Sequence, residues 1–103
     1  MARIVLDGFL DDAPKRIEAL GNCLRAGDAE GAIRQAHTIK GASATVGGEA
    51  LRVVAQEIET AATAGDLAGV AARLPGLTSA FGRLRDAINE VVGQAGPRPE
   101  EPR

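Results

Sequence analysis

The chain has 103 residues, a net charge of −2 with both signs interspersed, and a composition that is 45% hydrophobic but only 2% aromatic. This length suits one small domain with a modest core. The lack of a basic stripe and of aromatic side chains that stack on bases argues against nucleic-acid binding. No apolar stretch reaches the ~18 residues of a membrane span, and the N-terminus lacks the pattern of a signal peptide.

The residue types favour an all-α protein. Phe9 and Phe81 are the only aromatic residues, so the core is expected to be aliphatic, and few runs show the β-branched alternation of strands. Cys23 is the single cysteine. It excludes an intramolecular disulfide and suits a reduced, cytoplasmic setting.

The first predicted helical segment covers residues 3–26. Its apolar side chains are spaced by four and three residues, as on one face of a helix: Leu6, Leu10, Ala13, Ile17, Leu20 and Leu24. Pro14 lies inside this stripe, so either the helix is kinked or a short helix ends there and a new one begins. Because the stripe keeps its phase across Pro14, we expect a kink or a tight break at one edge of a bundle.

Two Ala-Gly-Asp triplets, at residues 26–28 and 64–66, predict breaks between helices. In each, the glycine suits the left-handed residue that ends a helix, and the aspartate suits the cap that begins the next. The glycine pair at residues 47–48 predicts a further break. Together these signals delimit a second helix over residues 29–46 and a third over residues 49–64.

The third helix has an apolar stripe with a polar flank beside it. The stripe consists of Leu51, Val54, Ala55, Ile58 and Ala62. Gln56 and Glu59 fall on the polar flank, whereas Thr60 and Thr63 are predicted to be surface residues. If the second and third helices form a hairpin, Glu59 comes near His37.

The fourth helix is predicted over residues 67–92, where apolar residues form the clearest heptad of the chain: Leu67, Val70, Leu74, Leu77, Phe81, Leu84, Ile88 and Val91. Pro75 interrupts this heptad without changing its phase, which predicts a kinked but continuous helix. Residues 93–103 hold three of the five prolines and are predicted to be a disordered tail or linker. Four helical segments with short connections predict an antiparallel up-and-down four-helix bundle over residues 1–92.

His37 is the only histidine of the chain, and Lys40 and Gly41 follow it by three and four residues. Such positions are surface neighbours on a helix. At about 100° per residue, the apolar face of this helix centres on Ile39, and His37 lies nearly opposite, next to Arg34. The pattern predicts an imidazole that faces solvent beside an ammonium group, where another molecule can reach it.

Residues 37–43, His-Thr-Ile-Lys-Gly-Ala-Ser, followed by Gly47, resemble the histidine phosphotransfer (HPt) domain family. The likeness extends to residues 9–14, Phe-Leu-Asp-Asp-Ala-Pro, and to the Gly-Asp breaks before the second and fourth helices. It covers roughly residues 4–92. The His-x-x-Lys-Gly core alone is short, but its position between these helices makes it specific.

The resemblance implies a phosphorelay intermediate of two-component signalling. His37 would accept a phosphoryl group from a receiver-domain aspartate or from a kinase and pass it to another receiver aspartate. Lys40 would lie beside the phosphoryl group, Gly41 would leave room for the receiver, and Glu59 would orient the histidine ring. A receiver-docking surface is expected to include Ile33, Arg34 and Ala44.

Elementary chemistry is consistent with these roles. A phosphoryl acceptor needs a neutral ring nitrogen with a free lone pair, and imidazole, with an ordinary pKa of about 6.5, provides one near neutral pH. A carboxylate that accepts the Nδ1–H bond leaves Nε2 bare for attack. Phosphoryl transfer spreads negative charge over three equatorial oxygens, which a lysine offsets.

The resemblance also implies that the domain is a phosphoryl carrier and not an enzyme. Its expected partners are response-regulator receiver domains, with a hybrid histidine kinase as another source of the phosphoryl group. We expect a monomer that binds neither nucleic acid nor membrane. Mg²⁺ is expected on the receiver, and this chain is expected to need no cofactor or metal, since one histidine and one distant cysteine form no ligand cluster.

Two alternatives remain open from the sequence. One is the amino-terminal phosphotransfer domain of a chemotaxis-type kinase, in which a kinase domain of the same protein phosphorylates the histidine. The other is a helical docking module that carries no phosphate. The dimerising histidine domain of ordinary sensor kinases fits less well, because that family usually has an acidic residue directly after the histidine and Thr38 stands there.

Overall fold

The computed structural model describes the backbone of residues 3–95 and the side chains of residues 6–91. Over this range the chain forms four α-helices and no strand: α1 (Arg3–Ala26), α2 (Ala29–Thr45), α3 (Glu49–Thr63) and α4 (Leu67–Ala95). The all-helical class and the number of helices are as predicted. None of these helices combines the length and the hydropathy that a membrane span requires.

The three breaks between helices occur where the sequence places them. Gly27, Gly47 and Gly65 have positive φ angles of 71°, 75° and 76°, a conformation that glycine adopts without steric cost. Asp28 and Asp66 then cap the following helices, since each carboxylate accepts a hydrogen bond of 2.9 Å from the backbone N–H three residues later. The helix that carries His37 therefore has a fixed start.

Both prolines inside helices are accommodated without ending them. Pro14 lies within α1 and Pro75 within α4. Each proline lacks a backbone N–H, so each helix forgoes one intrahelical hydrogen bond. The alternative in which a short first helix ends at Pro14 is therefore wrong, while a kink at either proline stays a prediction.

The core is aliphatic and lies along the axis shared by the four helices. Its largest fully buried side chains are Leu20, Ile39, Leu51, Ile58, Val70 and Leu77. The two aromatic residues form a pair, with the ring centroids of Phe9 of α1 and Phe81 of α4 lying 5.9 Å apart. Helix α2 packs against α1 and α3, and α4 packs against α3 and α1, so the helices close a ring around this core.

The end of α4 differs from the prediction in two respects. The helix continues to Ala95, three residues past the expected end at residue 92. Pro97 disfavours helical conformation at the residue before it, and Gly93, Gln94 and Ala95 all precede that residue and extend the helix. The remainder of the predicted tail, residues 96–103, lies outside the described residues.

The last residue of the apolar heptad in α4, Val91, is not buried. Leu84 packs against Gly48 at the start of α3, with a leucine methyl 2.5 Å from where a glycine β-carbon would stand. One turn further along α4, Ile88 is still buried. Val91, predicted to lie in the core stripe, is 60% exposed.

Candidate functional site

His37 lies in the middle of α2 on the face turned away from the core. Its side chain is 68% exposed, whereas Ala36 and Ile39, on the opposite face of the same turn, are buried. This is the orientation that the helical periodicity predicts. The imidazole is open to a molecule approaching α2 from solvent.

Glu59 of α3 reaches the histidine ring. Its Oε2 lies 3.1 Å from Nδ1 of His37, and its side chain is only 19% exposed. An ionised carboxylate can only accept hydrogen bonds, so Nδ1 of the ring must be the donor. In a neutral imidazole the other nitrogen, Nε2, then carries a free lone pair. The contact between the second and third helices that the hairpin predicts is present.

Lys40 lies beside the same carboxylate. Its Nζ is 2.7 Å from Oε1 of Glu59, and the lysine side chain is 25% exposed. Glu59 thus uses one oxygen for the histidine ring and the other for the lysine. Nζ of Lys40 also donates a hydrogen bond of 3.1 Å to Oε1 of Gln56. Two helices therefore supply a connected set of four polar side chains.

The charges of this set keep Glu59 ionised. The hydrogen bond from Lys40 is the main reason that the pKa of the Glu59 carboxyl lies below its ordinary value of 4.5; burial opposes the shift, and His37 adds to it. At neutral pH the carboxyl group is therefore a carboxylate. This supports the assignment of Nδ1 of His37 as a hydrogen-bond donor.

Gly41 leaves open space next to His37. Beyond its chain neighbours and the backbone of its own helix, a β-carbon at Gly41 would meet no heavy atom within 4 Å. A glycine in a helix costs about 1 kcal/mol relative to alanine. Within the described residues, no neighbouring atom therefore requires a glycine at this position.

The three residues expected to form a docking surface differ in exposure. Arg34 and Ala44 are exposed, while Ile33 is half-buried and packs against the core. Arg34 lies three residues before His37 and Ala44 seven residues after it, so both follow the exposed side of α2. Within the described residues, no three His, Cys, Asp or Glu side chains are grouped so that they could hold a metal ion.

A model of the Hpt domain family matches residues 5–94 of the chain. The chain belongs to the Hpt domain family. No match was found among curated proteins or among solved structures. Hpt domains act in histidine phosphotransfer within phosphorelay signalling and are phosphoryl carriers rather than catalysts. They interact with the receiver domains and kinases of two-component systems.

Gln56, a member of the polar set in this Hpt domain, and Thr60, which contacts Gln56, were not predicted as site residues. Gln56 contacts Lys40, and Thr60 contacts Gln56 through a hydrogen bond of 3.2 Å. The sequence places Gln56 three residues before Glu59 on the same polar flank, and this position is its indication that Gln56 could belong to the site. Thr60 was predicted to be a surface residue, and it is exposed, but it also takes part in this chain of contacts.

Proposed function

We propose that this domain is a phosphorelay intermediate that accepts a phosphoryl group on Nε2 of His37 and passes it to a receiver aspartate. The observation that carries the proposal is the 3.1 Å contact between Nδ1 of His37 and Glu59 on an otherwise exposed ring. This contact leaves Nε2 as the nitrogen with a lone pair and turns it toward solvent. A histidine with only a structural role would not need both features.

The transfer step balances without any proton movement at His37. The lone pair of Nε2 attacks phosphorus, a nitrogen–phosphorus bond forms, and the bond between phosphorus and the aspartyl oxygen breaks with its electrons left on the aspartate. The ring, which keeps its proton on Nδ1, becomes positively charged. The Glu59 carboxylate stabilises that charge, and the reverse step expels a neutral imidazole.

Lys40 and Gly41 have separate roles in this proposal. The ammonium group of Lys40 lies next to the histidine–carboxylate pair and offsets the negative charge of the phosphoryl oxygens. Gly41 has no side chain and so leaves room on α2 for the receiver's active site.

We propose that Arg34, Ile33 and Ala44 belong to the docking surface. We also propose that the receiver supplies the Mg²⁺ that the reaction needs, with no cofactor on this domain.

We further propose that neighbouring helices run antiparallel. Two pairs of contacts support this: His37 with Glu59 and Lys40 with Gln56 between α2 and α3, and Gly48 with Leu84 and Glu57 with Arg73 between α3 and α4. In each helix pair, positions that rise in one helix fall in the other. We also propose that the bundle has the extent predicted from the sequence, that the protein is a monomer and that it is cytoplasmic.

The test is to mix the protein with receiver domains that carry a phosphoryl group on their aspartate, and to look for phosphate on the protein that is lost in acid. We expect label on the wild type and none on His37→Gln. Because the ring is exposed, His37→Gln should unfold at nearly the same temperature as the wild type. If label appears on the variant, His37 is not the acceptor. If the variant does not fold, His37 has a structural role and the proposal loses its support. If no receiver and no kinase labels the wild type, the relay function is wrong and a docking module remains.

A further inference from the structure

Lys40 has two acceptors, and both come from α3. Besides the Glu59 oxygen at 2.7 Å, the side-chain carbonyl oxygen of Gln56 lies 3.1 Å from Nζ. Gln56 precedes Glu59 by three residues, so one face of α3 presents both groups to the ammonium. Two side chains of α3 thus contact the lysine, which belongs to α2.

The Gln56 amide lies between two partners, Lys40 on one side and Thr60 on the other. The amide nitrogen of Gln56 donates a hydrogen bond of 3.2 Å to Oγ1 of Thr60. A glutamine amide has an acceptor oxygen on one side and two N–H donors on the other. With the nitrogen on Thr60, the oxygen points to Lys40. The reversed amide would bring its N–H bonds toward a cation, which is unfavourable.

The ammonium group keeps one donor for a further partner. It carries three N–H bonds; Gln56 accepts one of them, and the Glu59 carboxylate forms an ion pair with the group. Among residues 6–91 the structure gives Nζ no third acceptor. The group also borders an open groove of about 350 Å³ between α2 and α3 that Gln56, Glu59 and Thr60 help to line. The ammonium group can therefore bind a phosphoryl oxygen while it keeps its contacts with Glu59 and Gln56.

We propose that Gln56, whose amide nitrogen also donates to Thr60, is a positioning residue that holds Lys40 beside the His37–Glu59 pair before a phosphoryl group arrives. This inference rests on the function proposed for His37 and extends it to a residue that contacts the lysine and not the ring. A lysine side chain loses much rotamer freedom when it is fixed. If Gln56 fixes it in advance, that cost is not added to the barrier of phosphoryl transfer.

The direct test measures the mobility of the Lys40 side chain by NMR relaxation of its ε-methylene in the unphosphorylated protein. Gln56→Leu removes the acceptor with a side chain of similar size, and we expect Lys40 to become more mobile. Glu57→Leu makes a comparable change one residue away, where the carboxylate faces Arg73 of α4 at 3.8 Å, and should leave Lys40 unchanged. Gln56→Glu keeps an acceptor oxygen and should keep the lysine ordered.

The kinetic test uses potassium phosphoramidate, a small donor whose phosphorus–nitrogen bond breaks to release ammonia as Nε2 of His37 takes the phosphoryl group. We expect Gln56→Leu to lower the maximal labelling rate about threefold, because an exposed hydrogen bond to a charged group has a modest effect. In a Lys40→Met background the same substitution should have no further effect, since it acts only through the lysine.

Two results would overturn the proposal. One is a folded Gln56→Leu protein in which Lys40 is no more mobile than in the wild type. The other is a rate that falls by the same factor whether or not Lys40 is present, which would assign Gln56 a general structural role. If the wild type accepts no phosphoryl group at all, the function proposed for His37 fails, while the mobility measurement still decides whether Gln56 holds Lys40.

Discussion

The carboxylate of Glu59 contacts the ring of His37 at 3.1 Å across a separation of 22 residues in the chain. It joins two adjacent helices at the one histidine and, through its second oxygen, brings Lys40 to within 2.7 Å. One side chain thus selects the ring tautomer, provides a negative charge beside the ring and holds a positive charge nearby. Within the described residues, Glu59 therefore links His37 to Lys40.

The first prediction concerns the tautomer. Glu59→Gln preserves the shape of the side chain but removes its charge, so the Nδ1–H form of His37 loses its main preference over the Nε2–H form. We expect the ¹⁵N shifts of the ring to move toward a mixture of tautomers and the rate of phosphoryl transfer to fall about tenfold, the size expected for a lost charged hydrogen bond. Glu57→Gln, two residues earlier on α3, is the matched control and should change neither quantity. Unchanged ring shifts in Glu59→Gln would contradict the assigned role.

The second prediction separates stability from docking. Gly41→Ala fills open space and raises helix propensity, so we expect the free energy of unfolding to rise by about 1 kcal/mol. Transfer from a phosphorylated receiver should nevertheless slow, because the added methyl group stands where the receiver approaches. Labelling by phosphoramidate, which is small, should stay close to the wild-type rate.

Gly76→Ala is the control for that experiment. Gly76 is an exposed glycine of α4, and a β-carbon there would also meet no heavy atom within 4 Å beyond its chain neighbours and the backbone of its own helix. Helix α4 packs against α1 and α3. We expect a similar gain in stability and no loss of transfer. If both variants transfer at the wild-type rate, Gly41 does not provide clearance.

The third prediction concerns pH. Because the pKa of Glu59 is lowered in the folded protein, mainly by Lys40, its ionisation contributes stability that is present above the ordinary value of 4.5 and is lost as the pH falls through the folded-state value. Lys40→Met should raise the pKa of Glu59, as measured by the ¹³C shift of its carboxyl carbon. The stability difference between wild type and variant should therefore be larger at pH 7 than at pH 3. A difference that does not depend on pH would show that Lys40 stabilises the fold by some other means.

The fourth prediction tests the start of the helix that carries His37. Asp28→Ala removes the carboxylate that accepts the N–H of Gly31 at 2.9 Å, and we expect denaturant unfolding to show a loss of about 1 kcal/mol. Asp11→Ala, on the exposed side of α1, removes only an exposed ion pair with Lys15 and should change stability by less than about 0.5 kcal/mol. Equal losses in the two variants would mean that Asp28 does not act as a cap.

The sequence by itself determined the helices and most of their faces. The Gly-Asp breaks, the apolar periodicity and the resemblance of residues 37–43 to a known family are local signals, and local signals are what a sequence states directly. They place His37 on the exposed face of α2 and Ile39 in the core without any knowledge of the other helices. They overestimate burial at Val91, because a repeating pattern does not show which of its positions a neighbouring helix covers.

Tertiary structure alone decided which polar side chains meet. The contacts of His37 with Glu59, of Lys40 with Gln56 and of Gln56 with Thr60 depend on the register between α2 and α3, and a shift of one residue turns a side chain by about 100°. The sequence suggested the first contact through the predicted hairpin of the second and third helices and through the family resemblance. It placed Gln56 on the same polar flank as Glu59 but did not show that Gln56 contacts Lys40 or that Thr60 contacts Gln56, because exposed polar residues on a helix look alike until a neighbouring helix brings a partner within reach.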